Sequence, residues 1–309
     1  MRVFVTGATG LVGRALCVEL SRRGDDVVAL SRNPQPVRER AQRWVVGDPG
    51  REGAWCGEID GSDAVVHLAG ESIAGGRWTR ARKARLVASR VESTRIISQT
   101  IARCASPPEV LICASATGYY GARGEEPLAE EAPPGDDFLA GLCRDWEAAA
   151  QEGAGDALRV VCMRFGVVLS AQGGALAQML PPFRLGLGGP LGPRDRWFPW
   201  IHESDAVGLT LHALGAASSS PGRSDLLRGP VNAVAPEAVR MGEFATALGA
   251  ALGRPARLTV PLFALRLVLG ELAELLSPGQ RVLADRALAS GYGFAHPNLD
   301  SAIRNCLIS

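Results

Sequence analysis

Thr6-Gly7-Ala8-Thr9-Gly10-Leu11-Val12-Gly13 places glycines at G-x-x-G-x-x-G spacing, between a short apolar run and a stretch of helical periodicity. A turn leading directly from strand to helix needs a first residue free of Cβ strain, and Gly7 supplies it. Gly10 leaves the backbone bare to a ligand, and Gly13 lets the helix pack closely on the strand. The helix start then offers unpaired N–H groups and a partial positive charge, which together attract phosphate. With Thr9, Leu11 and Val12 completing the loop, the segment predicts a cradle for the pyrophosphate of a dinucleotide.

The first half of the chain goes on alternating. Apolar runs at 2–6, 26–31, 44–46, 64–69, 110–115 and 158–165 predict strands, and 11–23, 79–104 and 137–151 predict helices. Ala64 to Ala69 is continuously apolar, as befits a strand covered on both faces. This pattern predicts an α/β fold, a Rossmann-type doubly wound parallel sheet with right-handed crossovers. The second half predicts a smaller, mostly helical C-terminal region on the substrate side. Leu180 to Trp200, rich in Gly, Pro and aromatics, predicts a long ordered loop. Further on, 202–213 and 241–252 predict helices, 230–234 a strand and 216–228 an exposed loop. Residues 1–170 are thus expected to form the nucleotide-binding domain, with contributions from about 200–235. Residues 171–200 and 236–309, including a helical segment over 258–309, are expected to form the substrate side.

Composition excludes several classes of partner. A net charge of +1 gives no electrostatic reason to bind nucleic acid or an anionic membrane surface. The stretch Pro261 to Leu276 is too short to span a bilayer and carries Arg266, Glu271 and Glu274, so it reads as an amphipathic helix. Seven scattered cysteines with no C-x-x-C pair read as free thiols in a reducing, cytoplasmic compartment. The four histidines lack metal-ligand spacing, so no metal is expected. Met1-Arg2 leads straight into the first strand, leaving no signal peptide to expect. Nothing in the sequence speaks to oligomeric state.

The second strand points to the kind of dinucleotide. An NAD site places Asp or Glu at its end to hold the ribose 2′-hydroxyl. Here the strand ends Leu30-Ser31-Arg32, and a planar guanidinium suits a 2′-phosphate, so the expected cofactor is NADP. Leu68-Ala69-Gly70, with Glu71 following, ends the fourth strand at the carboxyl edge where ligands bind in such sheets. Gly166-Val167-Val168 reaches the same edge.

These residues resemble the extended and atypical short-chain dehydrogenase/reductases. Within them the chain is most similar to the epimerase-like family also called the sugar-nucleotide epimerase family with a C-terminal domain of unknown function. The likeness runs through His67-Leu68-Ala69-Gly70-Glu71, Ser89-Arg90, Ser115-Ala116-Thr117-Gly118-Tyr119-Tyr120-Gly121 and Asp145-Trp146-Glu147. It continues in Arg164-Phe165-Gly166-Val167-Val168-Leu169, Leu187-Gly188-Gly189-Pro190, Pro199-Trp200-Ile201-His202 and Gly279-Gln280-Arg281-Val282. The resemblance implies NADP binding through Ser31, Arg32, Leu68, Ala69, Arg90 and Val168 besides the glycine loop. It names no substrate.

Standard members of the superfamily carry a Ser or Thr after the fifth strand and a Tyr-x-x-x-Lys pair on the next helix, the tyrosine acting as acid–base. Ser115 matches the serine by placement. Phe138 and Leu142 stand where the tyrosine and lysine belong, and Lys83, in an earlier helix, is the only lysine in the chain. Tyr119, followed by Arg123 at the same four-residue spacing, is the candidate acid–base, or else a pocket wall or core aromatic. Ser115 is a candidate catalytic or substrate-binding hydroxyl, or else a helix-cap or turn residue. Glu71 is a second candidate carboxylate, or a solvated loop residue. Arg184, Arg194 and Arg196 could meet an anionic substrate or simply flank an aromatic core. Two functions remain open on this reading. One is an NADP(H)-dependent oxidoreductase or epimerase-like enzyme acting on a small polar carbonyl compound. The other is a non-catalytic NADP(H)-binding regulatory or interaction protein.

Overall fold

Val3, Phe4, Val5, Val27, Val28, Ala64, Val65 and Val66 are all fully buried, consecutive residues facing opposite sides, so both faces of their sheet are covered. The computed structural model describes residues 1–33, 42–155, 157–215, 227–259 and 279–308. The first elements are β1 (Arg2–Thr6), α1 (Leu11–Arg22), β2 (Asp26–Ser31), β3 (Gln42–Val46), β4 (Ala64–His67), α2 (Arg80–Val87), α3 (Ser93–Ala102) and β5 (Val110–Ala116). Then come β6 (Pro127–Leu128), α4 (Phe138–Gln151), β7 (Arg159–Phe165), β8 (Val167–Leu169) and α5 (Gly174–Arg184). The last labelled elements are β9 (Trp197–Phe198), β10 (Trp200–His202), α6 (Glu203–Leu214), β11 (Gly229–Ala233), β12 (Val239–Arg240) and α7 (Met241–Ala251).

Seven strands form one parallel sheet in the order β11-β7-β5-β4-β1-β2-β3. The chain fills one side from β1 to β3, then crosses over to β4 on the other. The switch point therefore lies between β1 and β4, where open α/β sheets bind ligands. One face packs Val3, Val5, Val27 and Ala29 against Leu16 and Leu20 of α1 and Ala206 and Leu209 of α6. The other packs Phe4, Val28, Val65 and Leu111 against Ile97 of α3 and Leu142 and Trp146 of α4. A further core joins Leu176 and Phe183 of α5, Phe198, Trp200, Phe244 of α7 and Ile303 of the helix Leu299–Ile308.

Three departures from the sequence reading matter for the site. The predicted helix over 79–104 is wound as α2 and α3 joined by a π-turn, Ala88–Glu92, which carries Arg90. The predicted loop from Leu180 to Trp200 is shorter. α5 runs to Arg184 through Pro181 and Pro182, because Leu176, Met179, Leu180 and Phe183 bury a continuous face that outweighs the two missing N–H groups. At the far end, β9 pairs antiparallel with β12, and β10 pairs parallel with β8. Lastly, the tail expected to be mostly helical contributes a two-residue strand, Arg281–Val282, beside β6. Residues 216–226 of the expected loop and the expected helix at 261–276 lie outside the described residues. Among the described residues no helix is long and apolar enough to cross a membrane.

Candidate functional site

At the switch point the glycine loop is built so tightly that side chains have no room. Gly7 has φ 70°, and a Cβ there would lie 2.6 Å from the Leu68 carbonyl carbon. A Cβ on Gly13 would lie 2.1 Å from the Gly7 carbonyl oxygen. α1 starts at Leu11 with Gly10 as its cap, no side chain capping it and no acidic residue in its first turn. Its first amides and the positive end of its dipole are therefore left for a ligand.

The other predicted cofactor residues gather round this opening to differing degrees. The Leu68 amide donates to the Thr6 carbonyl at 3.2 Å, which lays Leu68 and Ala69 along the loop just past β4. A Cβ on Gly174 would lie 3.2 Å from Leu11 Cδ2 and 3.6 Å from the Val168 carbonyl oxygen, so Val168 borders the start of α1. Thr9 and Gly10 are exposed on the loop. Ser31 accepts from the Asn33 amide at 3.3 Å, and Arg32 is exposed at the end of β2 with no ion pair among the described residues. Arg90 backs Gly70, where a Cβ would lie 3.3 Å from its guanidinium carbon, and its Nη2 donates to the Glu71 carbonyl at 2.9 Å. The Glu71 carboxylate turns to Arg82 and to Arg85 Nε at 3.4 Å, and two cations claim it.

Under the cradle lies a buried histidine. Ser93 Oγ donates to the Ser89 carbonyl at 2.9 Å, so it accepts from His67 Nε2 at 3.2 Å; His67 Nδ1 then accepts from Thr6 Oγ1 at 2.6 Å. Burial, helped by the Arg90 charge, pushes His67 down from 6.5 to about 3, so the folded protein holds it neutral. His202, whose side chain accepts from the Ser204 amide at the start of α6, is likewise pushed down to about 4 by burial. Below the ordinary histidine range the unfolded chain gains protons that the fold refuses. Stability should therefore be full above about pH 6.5 and fall as pH drops towards 3. Each histidine adds a slope approaching ~1.4 kcal/mol per pH unit. Urea titrations from pH 7 to 4 should show this, and His67→Gln should flatten the curve. An unchanged slope in that variant would remove His67 from the account.

The sheet edge two strands along holds a cavity of about 290 Å³. Its wall includes Ala116 at the end of β5 with Thr117 and Gly118 beyond it, Phe165 at the end of β7 with Gly166 and Val167 beyond it, Asp137 at the start of α4, Arg196 to Pro199, and Gln280. Neither predicted catalytic residue borders it. Ser115 Oγ donates to Glu147 Oε1 at 2.6 Å. Glu147, from α4, is in turn clamped by Arg164 of β7, which donates Nε to Oε1 and Nη2 to Oε2, both at 2.8 Å. Burial opposes the Arg164 charge, but the Glu147 partnership holds it protonated beyond the ordinary range. The same guanidinium stacks 3.5 Å from the centre of the Tyr119 ring and donates to Tyr120 Oη at 2.9 Å. Tyr120 then donates to Asn232 Oδ1 at 2.6 Å, and burial raises its pKa to about 12. α4 opens on Phe138, whose ring lies 5.0 Å from Lys83 Nζ. Sequence reasoning missed Thr117, Asp137 and Gln280 as wall residues. Asp137 carried a signal, as a capping residue directly before a helical run, and its Oδ1 accepts from the Ala140 amide.

Comparison with known proteins bears on both halves of this edge. The model of the NAD dependent epimerase/dehydratase family matches residues 3–226, and that of the domain of unknown function DUF1731 matches residues 260–306. The human epimerase family protein SDR39U1 is 39% identical over 308 residues, covering 98% of this chain and 99% of its own. A homologue from Arabidopsis thaliana, named as chloroplastic, is 39% identical over 311 residues, covering 98% of this chain and 86% of its own. The crystal structure of human SDR39U1 (isoform 2) with NADPH aligns over 100% of both chains with a TM-score of 0.88 at 36% identity. A UDP-glucuronic acid 4-epimerase from Bacillus cereus, solved with UDP-glucuronic acid and NAD, aligns at a TM-score of 0.80 and 14% identity, covering 100% of this chain and 99% of its own. That last likeness is one of fold alone.

Proposed function

Since this chain belongs to the NAD dependent epimerase/dehydratase family, we propose that it binds NADPH at the β1–α1 cradle and acts as an oxidoreductase or epimerase-like enzyme on a small polar carbonyl compound held in the neighbouring cavity. The observation that carries the cofactor reading is the uncapped start of α1, pressed by Gly7 and Gly13 against a space where no Cβ fits. The α1 amides would hold the pyrophosphate. Ser31 and Arg32 would hold the 2′-phosphate, since β2 ends on a hydroxyl and a guanidinium and not on a carboxylate. Leu68 to Gly70 and Val168 would wall the remainder. A bound nicotinamide supplies or takes up a hydride. Tyr119 is the hydroxyl left with a proton to give in this reading, since the Ser115 proton is committed to Glu147; because Tyr119 stands outside the cavity wall, this role requires the segment after β5 to shift when the compound enters.

Affinity for the two pyridine nucleotides tests the cofactor assignment. The wild type is expected to bind NADPH roughly tenfold or more tightly than NADH. Arg32→Ala should lose most of that preference, with NADH binding unchanged. Equal wild-type affinities for both would remove Arg32 from the site.

The non-catalytic alternative has its own support. Phe138 occupies the expected tyrosine position under Lys83, and neither Ser115 nor Tyr119 borders the cavity. Absorbance of bound NADPH followed through a screen of carbonyl compounds separates the two. Tight binding without turnover of any compound selects the regulatory protein.

A further inference from the structure

The other buried arginines among the described residues each set a terminal guanidinium nitrogen against an acceptor, Arg90 through Nη2 on the Glu71 carbonyl. Arg164 is paired with Glu147, Arg82 with Glu71, and Arg159 donates to the Ala213 and Leu227 carbonyls at 2.9 Å. Arg196 is the exception. It is 9% exposed, yet among the described residues its side chain's only hydrogen bond runs from Nε to the Leu191 carbonyl at 3.2 Å, its terminal nitrogens meet no acceptor, and no carboxylate pairs with it. Burial alone lowers its pKa, to about 10, with no opposing charge to restore it. Arg196 lines the cavity at the carboxyl edge of β5 and β7. Asp137 is the sole carboxylate on the described wall, and it is occupied in capping α4. Arg184 and Arg194, the other two arginines of this region, are exposed.

A guanidinium this buried, held only by one backbone carbonyl and the Phe198 ring 6.0 Å away, costs free energy that the fold does not recover on its own. Such a group is retained where a ligand completes it, and its planar fork suits two oxygens of one anionic group. The cavity, about 290 Å³, suits a small molecule and not a polymer. We propose that Arg196 is the receptor for an anionic head group, carboxylate or phosphate, of the compound that enters this cavity. The inference deepens the functional reading above and rests on its placing the substrate in this cavity. It restricts the substrate class to small carbonyl compounds bearing a negative charge.

The test is calorimetric titration of the NADPH-loaded and the free protein, at fixed ionic strength, with malonate, methyl phosphate and the neutral isostere malonamide. One or both anions should bind in the millimolar range or tighter, and the arm that binds identifies the group; malonamide should not bind. Arg196→Gln should weaken anion binding by roughly tenfold or more. Arg196→Lys, which keeps the charge but loses the fork, should recover part of it. NADPH affinity should be the same in all these proteins. Arg196→Met should melt at or above the wild-type temperature, because no native ion pair is lost. The proposal falls if wild type binds neither anion, if malonamide binds as well as malonate, if Arg196→Gln binds like wild type, or if Arg196→Met melts several degrees lower. Loss of NADPH binding with anion binding intact would instead overturn the cofactor assignment and leave Arg196 standing.

Discussion

Gly13→Ala is expected to weaken NADPH binding by ~100-fold or more, which corresponds to about 2.7 kcal/mol. The added methyl would sit 2.1 Å from the Gly7 carbonyl oxygen, a backbone atom that no rotamer change can move aside. α1 must therefore back away from β1, or the loop must open, and either shift carries the first amides of α1 off their target. Overpacking of this kind also costs about 1–3 kcal/mol of stability. Gly10→Ala provides the contrast. Its nearest obstacle is the same oxygen at 3.1 Å, which a few tenths of an ångström relieve, so a milder loss is expected. Fluorescence titration of NADPH, beside circular dichroism to establish folding, measures both. A folded Gly13→Ala protein with wild-type affinity would show that the start of α1 does not hold the cofactor.

Glu147→Ala should cost the most stability of any single substitution considered, about 3–5 kcal/mol, because it strands the Arg164 charge inside the protein. Arg164 has 3% of its side chain exposed and Glu147 13%, so water cannot replace the lost partner. Removing both charges together, as Glu147→Leu with Arg164→Met, should recover most of the loss. The double variant would also release Ser115 from its acceptor and withdraw the cation stacked on Tyr119. Urea unfolding of the single and double variants measures the coupling. Additive losses would mean that the pair is not the unit described.

How much of this was legible in the sequence follows from how local each signal is. The parallel sheet, its switch point and the glycine cradle depend on short runs: the period of apolar residues, the Gly7 to Gly13 spacing, and Ser31-Arg32 at a strand end. Those signals are local, and the structure places the strands and helices predicted in residues 1–170 within a few residues of their expected bounds. The relations that link distant segments were not legible. The hydroxyl of Ser115 is set against Glu147, 32 positions away, and Glu147 against Arg164, 17 further on. Nothing in either neighbourhood encodes the pairing. Arg184, Arg194 and Arg196 look alike in sequence, and only the packing of the β9 segment shows which of them is buried beside a cavity. Pro181-Pro182 misled in the opposite direction, because a breaker signal is local and the buried face that overrules it is not.

The π-turn at Ala88–Glu92 has a consequence for how this chain can vary in length. A π-turn is an α-helix carrying one surplus residue within a single winding. Deleting one residue there would let the coil relax to regular pitch while α2 and α3 keep their relative facing, because the surplus residue is taken up within the turn itself. What would be lost is the widened turn itself, and with it the bulged position that sets Arg90 against Gly70. An extra residue elsewhere on the surface is absorbed by a loop; this one is absorbed inside a rod, which can gain or lose it without turning its two ends against each other.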